Sequence, residues 1–148
     1  SELAHRVRKR ILPLLKVFPI PADPFGLMQI MKPCVEALGK GEVIHFNPEA
    51  ELWHLHQGIG KFHRGAFYAA HIANCPVVPV IHLFRPKTFF GKKISNQILD
   101  ITSVIGPPIY PSSSGNLNRI DSVKKMTNEA HDWMEKEMLE YKIKNELS

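Results

Sequence analysis

The stretch "PVVPVIHLF", residues 76 to 84, decides the reading of the fold, because apolar residues occupy both of its alternating faces. A strand apolar on both sides suits a sheet covered by helices on each face, the usual setting of central parallel strands. Immediately upstream, "GAFYAAHIAN" (65–74) reads as a short helix with Asn74 near its end. Downstream, "QILDITSVI" (97–105) reads as another strand, followed by Gly106-Pro107-Pro108. Further upstream, "EVIHFN" (42–47) reads as a strand as well. Strand and helix alternate without an internal repeat, so the expected class is α/β, a layered and largely parallel sheet flanked by helices.

The flanks extend this pattern. Asp23 and Pro24 are a plausible cap and first helical residue. Leu27, Ile30, Met31, Cys34, Val35 and Leu38 then recur at helical spacing up to Gly39, with Pro33 expected to kink the helix. Residues 14–20 read as a short strand. Residues 2–12 place Leu3, Val7 and Ile11 on one helical face among Arg6, Arg8, Lys9 and Arg10. That segment reads as a docked helix with a solvated basic side or as a helix lying on anionic lipid; a nucleic-acid arm is the least supported. Beyond the loop "PSSSGN" (111–116), a C-terminal helix is expected over 117–145, with Ile120, Val123, Ala130, Met134, Met138 and Tyr141 on its apolar side.

Bulk properties narrow the function classes. A chain of 148 residues suits one domain over 1–148. Its 44% hydrophobic and 22% charged residues are ordinary globular composition. The net charge of +5 favours an anionic partner: phosphate-bearing small molecules, nucleic acid or an acidic membrane surface. Two cysteines, Cys34 and Cys75, read as reduced core thiols of a cytosolic protein rather than a secreted framework. No apolar stretch approaches the roughly 20 residues of a spanning helix, and the basic start lacks a signal peptide's hydrophobic region.

The candidate site lies in residues 41–80. In open α/β sheets, ligands bind where a strand's carboxyl end gives way to the next loop. "FNPEAE" occupies that place, and Glu49 is suited to accept a hydrogen bond from a hydroxyl. Lys61, His63 and Arg64 come just before a helix start, where backbone N–H groups and cations together attract an anion. His54 and His56, with His45 and His63 nearby, suggest a zinc site only in outline. Without a Cys pair or a helical His-x-x-x-His they read as loop histidines, and no metal is expected. Trp53 and Trp133 read as packing residues, and His71 as a partly buried helix residue.

The order of these blocks resembles the glycerolipid acyltransferases, the lysophosphatidic acid acyltransferases among them. That family carries Phe-Pro-Glu-Gly-Thr-Arg after a strand, then Phe-Lys-Arg-Gly-Ala-Phe leading into a helix, then a Pro-Ile-Val-Pro-Val strand. Asn47-Pro48-Glu49-Ala50 is similar to the first, Phe62-His63-Arg64-Gly65-Ala66-Phe67 to the second, and Pro76-Val77-Val78-Pro79-Val80 to the third. "LPLLKVFPIPAD" and "LDITSVIGPPIYP" resemble two further blocks, so the similarity runs from about Leu12 to the final helix.

The resemblance implies a partial acyltransferase-like domain, the C-terminal portion of an enzyme moving a fatty acyl group to a lysophospholipid hydroxyl. Acyl-CoA or acyl-carrier protein would be the donor, with no cofactor. It implies acceptor binding by Pro48, Glu49, Ala50, Lys61, His63 and Arg64, with Pro79 in the strand that floors the pocket. It also implies a cytoplasmic protein peripheral on an anionic membrane, with the basic N-terminal segment as the contact and no nucleic-acid partner.

The family's catalytic His and Asp, five positions apart, have no counterpart: none of the eight histidines has an aspartate at that spacing. No catalytic residue is therefore assigned, and the chain alone is expected to be inactive. Ala50 stands where the family has Gly and Leu52 where it has Arg, and the Arg of another block is missing near residues 21–23. The acceptor is thus expected to differ from lysophosphatidic acid. A non-catalytic lipid- or membrane-binding relative is the alternative reading.

Overall fold

A computed structural model of the chain describes residues 24–49, 58–89, 92–93, 99–112 and 118–146. The basic segment 2–12, the strand expected at 14–20, Ala50, Trp53, His54 and His56 lie outside the described residues. The chain divides into two compact units, Ser1–Val43 and Ile44–Ser148.

The described part of the first unit is helix α1 (Pro24–Gly39), which begins on the proline suited to a first helical turn. The helix runs on through Pro33. It closes on a Schellman turn: Gly41 N–H donates to the Leu38 carbonyl (3.0 Å) and Glu42 N–H to that of Ala37 (3.0 Å). The left-handed residue is Gly41, with φ of 80°, and not Gly39, which is simply the last helical residue. Cys34 is buried, and desolvation pushes its thiol up from the usual range.

The second unit holds helix α2 (Gly65–Ala73), strand β1 (Val80–Pro86), the short strands β2 (Thr88–Phe89) and β3 (Lys92–Lys93), strand β4 (Leu99–Ile105) and helix α3 (Arg119–Glu146). α2 closes on Asn74, whose φ of 49° is a conformation asparagine tolerates better than most residues. α3 starts where Asn118 Oδ1 accepts the N–H of Asp121 (3.0 Å), an asparagine N-cap with an aspartate in the first turn.

The parallel-sheet expectation is overturned. β1 pairs with β4 antiparallel, from Val80 opposite Ile105 to Pro86 opposite Leu99. β2 and β3 form a separate antiparallel pair. Among the described residues no strand pair is parallel, and the class is α+β rather than a layered α/β sheet of the acyltransferase kind.

The cause lies in the connection. A parallel return needs a crossover, usually a helix, to carry the chain back along the sheet. Here the link between β1 and β4 contains the β2–β3 hairpin and no described helix. The apolar run is also covered on one face only: Ile81 and Leu83 are buried, while on the other face His82 and Ile101, the partner of Phe84, are exposed. One-sided burial is the habit of antiparallel sheets. Residues 42–47, expected as a strand, form none.

α3 organises the core along its length. Val123, Met126 and Ala130 pack with Phe62, Phe67, Ala70 and Ile109, whereas Met138 packs one or two turns later with Ile81 and Leu83 of β1. Ile120 is 67% exposed, so the apolar face begins at Val123 rather than at Ile120. The buried Thr127 hydroxyl donates to the Val123 carbonyl (2.7 Å), which satisfies it inside the helix.

Beyond β1 and β4 the ribbon continues. Val77 and Ile109 exchange both backbone hydrogen bonds (2.9 and 2.8 Å), and Gly106 N–H donates to the Pro79 carbonyl (2.8 Å). A Cβ on Gly106 would stand 2.8 Å from both Pro79 Cγ and Trp133 Cε2, two rigid rings. Gly106→Ala is therefore expected to cost about 1–3 kcal/mol of stability, read from the urea unfolding midpoint. An unchanged midpoint would mean that the rings move aside freely.

Candidate functional site

Pro48 and Glu49 form a turn that is stitched to the segment entering α2. His63 N–H donates to the Pro48 carbonyl at 2.7 Å, and Gly60 N–H donates to Glu49 Oε2 at 3.1 Å. Two blocks separated by residues 50–57 thus meet. A Cβ at position 60 would lie 2.9 Å from Glu49 Oε2, so a larger residue there would shift the carboxylate, the far end of a flexible side chain. With one oxygen engaged by Gly60, Glu49 keeps acceptor capacity for a ligand hydroxyl.

Between Gly60 and α2 the side chains divide by burial. Phe62 is buried, stacked near Phe67 (6.3 Å between centroids) and met edge-on by the His131 ring (5.0 Å). Lys61, His63 and Arg64 are exposed. Anchoring Phe62 therefore sets three basic side chains on the surface beside the Glu49 turn. Arg64 precedes α2 in helical geometry and supplies no side-chain cap. Its carbonyl accepts the first helical bond, from Tyr68 N–H (2.9 Å), which leaves the N–H groups of the first turn without a capping side chain. A Cβ at Gly65 would meet nothing within 4 Å, so the helix start is open. Cations, a helix start that the Arg64 side chain does not cap and the open space at Gly65 together make a surface suited to a phosphate or carboxylate.

Of the residues singled out from the sequence, Pro48, Glu49, Lys61, His63 and Arg64 are thus brought together, and Ala50 lies outside the described residues. Pro79 is placed differently. It is buried in the ribbon against Gly106 and offers no open surface to a ligand.

Contacts between α2 and α3 were not legible locally. Ser122, fully buried, accepts the Ser112 N–H on Oγ (3.1 Å) and lies 3.1 Å from His71 Nδ1. One turn earlier on both helices, Arg119 Nη1 donates to the Tyr68 hydroxyl (3.2 Å). These partners are 51 residues apart, a separation that no periodicity reveals. They hold α2, and with it the open helix start, on α3.

Among the described residues, His131, Asp132 and Glu135 are the one group of potential metal ligands whose donor atoms all lie within 4.8 Å of one another. The imidazole Nδ1 is 3.9 Å from Asp132 and 3.7 Å from Glu135, and the carboxylates are well exposed. This is an ordinary solvated pairing along a helix face and carries no site by itself. Both cysteines are free thiols. No helix among the described residues is long and apolar enough to cross a membrane.

No protein-family model, curated protein or solved structure matches this chain.

Proposed function

We propose that these residues are the acceptor-binding portion of an O-acyltransferase of phospholipid synthesis, using acyl-CoA or acyl-carrier protein as donor. The observation that carries the reading is the pair of hydrogen bonds joining Pro48 and Glu49 to His63 and Gly60. They unite two blocks that the sequence resemblance treats as parts of one site. The reading rests on those blocks and contacts and takes no support from the sheet. Glu49 accepts from the acceptor's hydroxyl region, while Lys61, His63, Arg64 and the start of α2 hold its phosphate. The basic segment 2–12 rests on anionic lipid at the cytoplasmic face of a membrane.

The acceptor hydroxyl must lose a proton as it attacks the thioester, and the family's His and Asp pair for that task has no counterpart here. The 148 residues alone therefore turn over no substrate. That same absence favours a second reading, a non-catalytic lipid-binding relative that keeps the anion site.

Titration of the purified chain with lysophosphatidic acid tests the site common to both readings. Saturable binding is expected, and Lys61, His63 and Arg64 replaced together by alanine should weaken it at least about tenfold, since charge-assisted bonds each contribute ~1.5–3 kcal/mol. Equal affinity in the triple variant would remove the site. Acyl transfer from acyl-CoA above a no-protein control would falsify the prediction that the chain alone is inactive. If acyl transfer appears only when a chain bearing the His and Asp pair is added, the enzyme reading holds over the binding relative.

A further inference from the structure

Beyond β4 runs "GPPIYPS", residues 106–112, whose prolines and tyrosine the acceptor site does not use. Within it, Pro107-Pro108-Ile109-Tyr110 has the pattern Pro-Pro-x-Tyr. We propose that this segment is a surface-presented ligand for a WW-type domain, whose aromatic-lined groove takes proline-rich extended chain. The proposal does not rest on the acyltransferase reading.

The backbone is prepared for that role. Proline fixes φ at about −65°, which acts on Pro107, Pro108 and Pro111. The residue before a proline is kept from the helical region, which acts on Gly106, Pro107 and Tyr110. Ile109 escapes both restraints and is held instead by Val77, with its N–H donating at 2.8 Å and its carbonyl accepting at 2.9 Å. Every position from 106 to 111 is therefore restrained before any partner arrives.

The side chains divide as such a ligand requires. In polyproline II geometry, about three residues per turn set Pro107 and Tyr110 on one side and turn Ile109 to another. Burial follows that division: Ile109 is 4% exposed in the core, whereas Pro107 and Pro108 are exposed and Tyr110 is 66% exposed. Between the Val80–Ile105 and Val77–Ile109 pairs, residues 78–79 face residues 106–108. The segment thus carries one extra residue, a bulge, and its two prolines sit where a regular ladder is already interrupted.

Three features select the partner. Tyr110 offers a large ring and a hydroxyl with only two side-chain torsions to order. The prolines lose little freedom on docking, because their backbone is already fixed. No lysine or arginine occurs from residue 94 to residue 118, so the chain here lacks the flanking cation read by grooves of the Pro-x-x-Pro kind. The same lack disfavours nucleic acid and anionic lipid at this place, both of which are bound through cations.

The test titrates the intact chain into a fluorophore-labelled WW domain of the Pro-Pro-x-Tyr class, followed by anisotropy. Saturable binding is expected. Tyr110→Ala should weaken it at least about tenfold, as expected of an aromatic anchor, and Pro107→Ala by a similar factor. Pro111→Ala, outside the pattern, should change it by less than about threefold. Because Tyr110 is exposed, Tyr110→Ala should leave the urea unfolding midpoint nearly unchanged, which separates loss of the ligand from loss of the fold.

Absence of saturable binding by the intact chain would overturn the proposal. It would do so even if a free peptide of residues 104–112 bound, since the fold would then hide the motif. Unchanged affinity in Tyr110→Ala would overturn it equally. Loss in Pro111→Ala with Tyr110→Ala unaffected would replace it with a Pro-x-x-Pro reader.

Discussion

Leu83→Ala is expected to lower the stability of the protein by about 2–5 kcal/mol, whereas Ile101→Ala should change it by less than about 0.5 kcal/mol. Both residues are branched aliphatics on paired strands, and sequence alone gives no ground for ranking them. Leu83 is 2% exposed and packs with Ile81 and Met138 under α3. Ile101 is 67% exposed on the other face of the same ribbon. Truncating Leu83 leaves a cavity bounded by side chains that relax only in part; truncating Ile101 removes a group already in water. Urea unfolding followed by circular dichroism separates the cases. Comparable losses at both positions would mean that both faces are covered, as in a central parallel strand, and the antiparallel description would have to be abandoned.

That contrast also locates what the sequence concealed. The segments that became β1, β4, α2 and α3 were visible as segments, because local propensity and capping residues act within a few positions. Asn74 and Pro24 marked helix ends for reasons of backbone geometry that hold in any fold. Strand direction is different, since it is set by the connection between strands. An apolar run such as residues 76–84 reports that something covers it, not whether one face or two are covered. The readable clue was in the link: residues 85–96 lack helical periodicity and carry Phe-Gly followed by Lys-Lys, a hairpin pattern and not a crossover. Residues 42–47 had the look of a strand but form no pairing among the described residues, and pairing alone makes a strand stable.

The site divides along the same line. That Glu49 and the basic trio belong together was a reading of block order. The Gly60 N–H that holds the Glu49 carboxylate could not be foreseen, because the two residues are 11 positions apart and no local periodicity links them. Pro79 shows the opposite failure. Its place in a family-like block suggested a pocket wall, yet the tight approach of Gly106 and Trp133 leaves it buried.

Phe62→Ala should have the second large effect, and it should be double: a loss of about 3–5 kcal/mol in stability and a loss of anion binding beyond what unfolding explains. Phe62 is 7% exposed, near Phe67 and against the His131 ring, so its removal empties part of the larger core cluster. Lys61 and His63 flank it directly, and the His63 N–H bond to Pro48 depends on the path that the buried ring imposes. With alanine, the segment loses its anchor, and the three basic side chains pay conformational entropy on binding that the native packing has already removed. Phe62→Leu keeps most of the apolar volume and should cost under about 1.5 kcal/mol, with anion affinity nearly retained. Measured at a temperature where each variant is more than nine-tenths folded, affinity should therefore fall in the order wild type, leucine, alanine. If the alanine variant, so measured, binds lysophosphatidic acid as tightly as wild type, the surface cations find their geometry without the core. Phe62 would then be a packing residue alone.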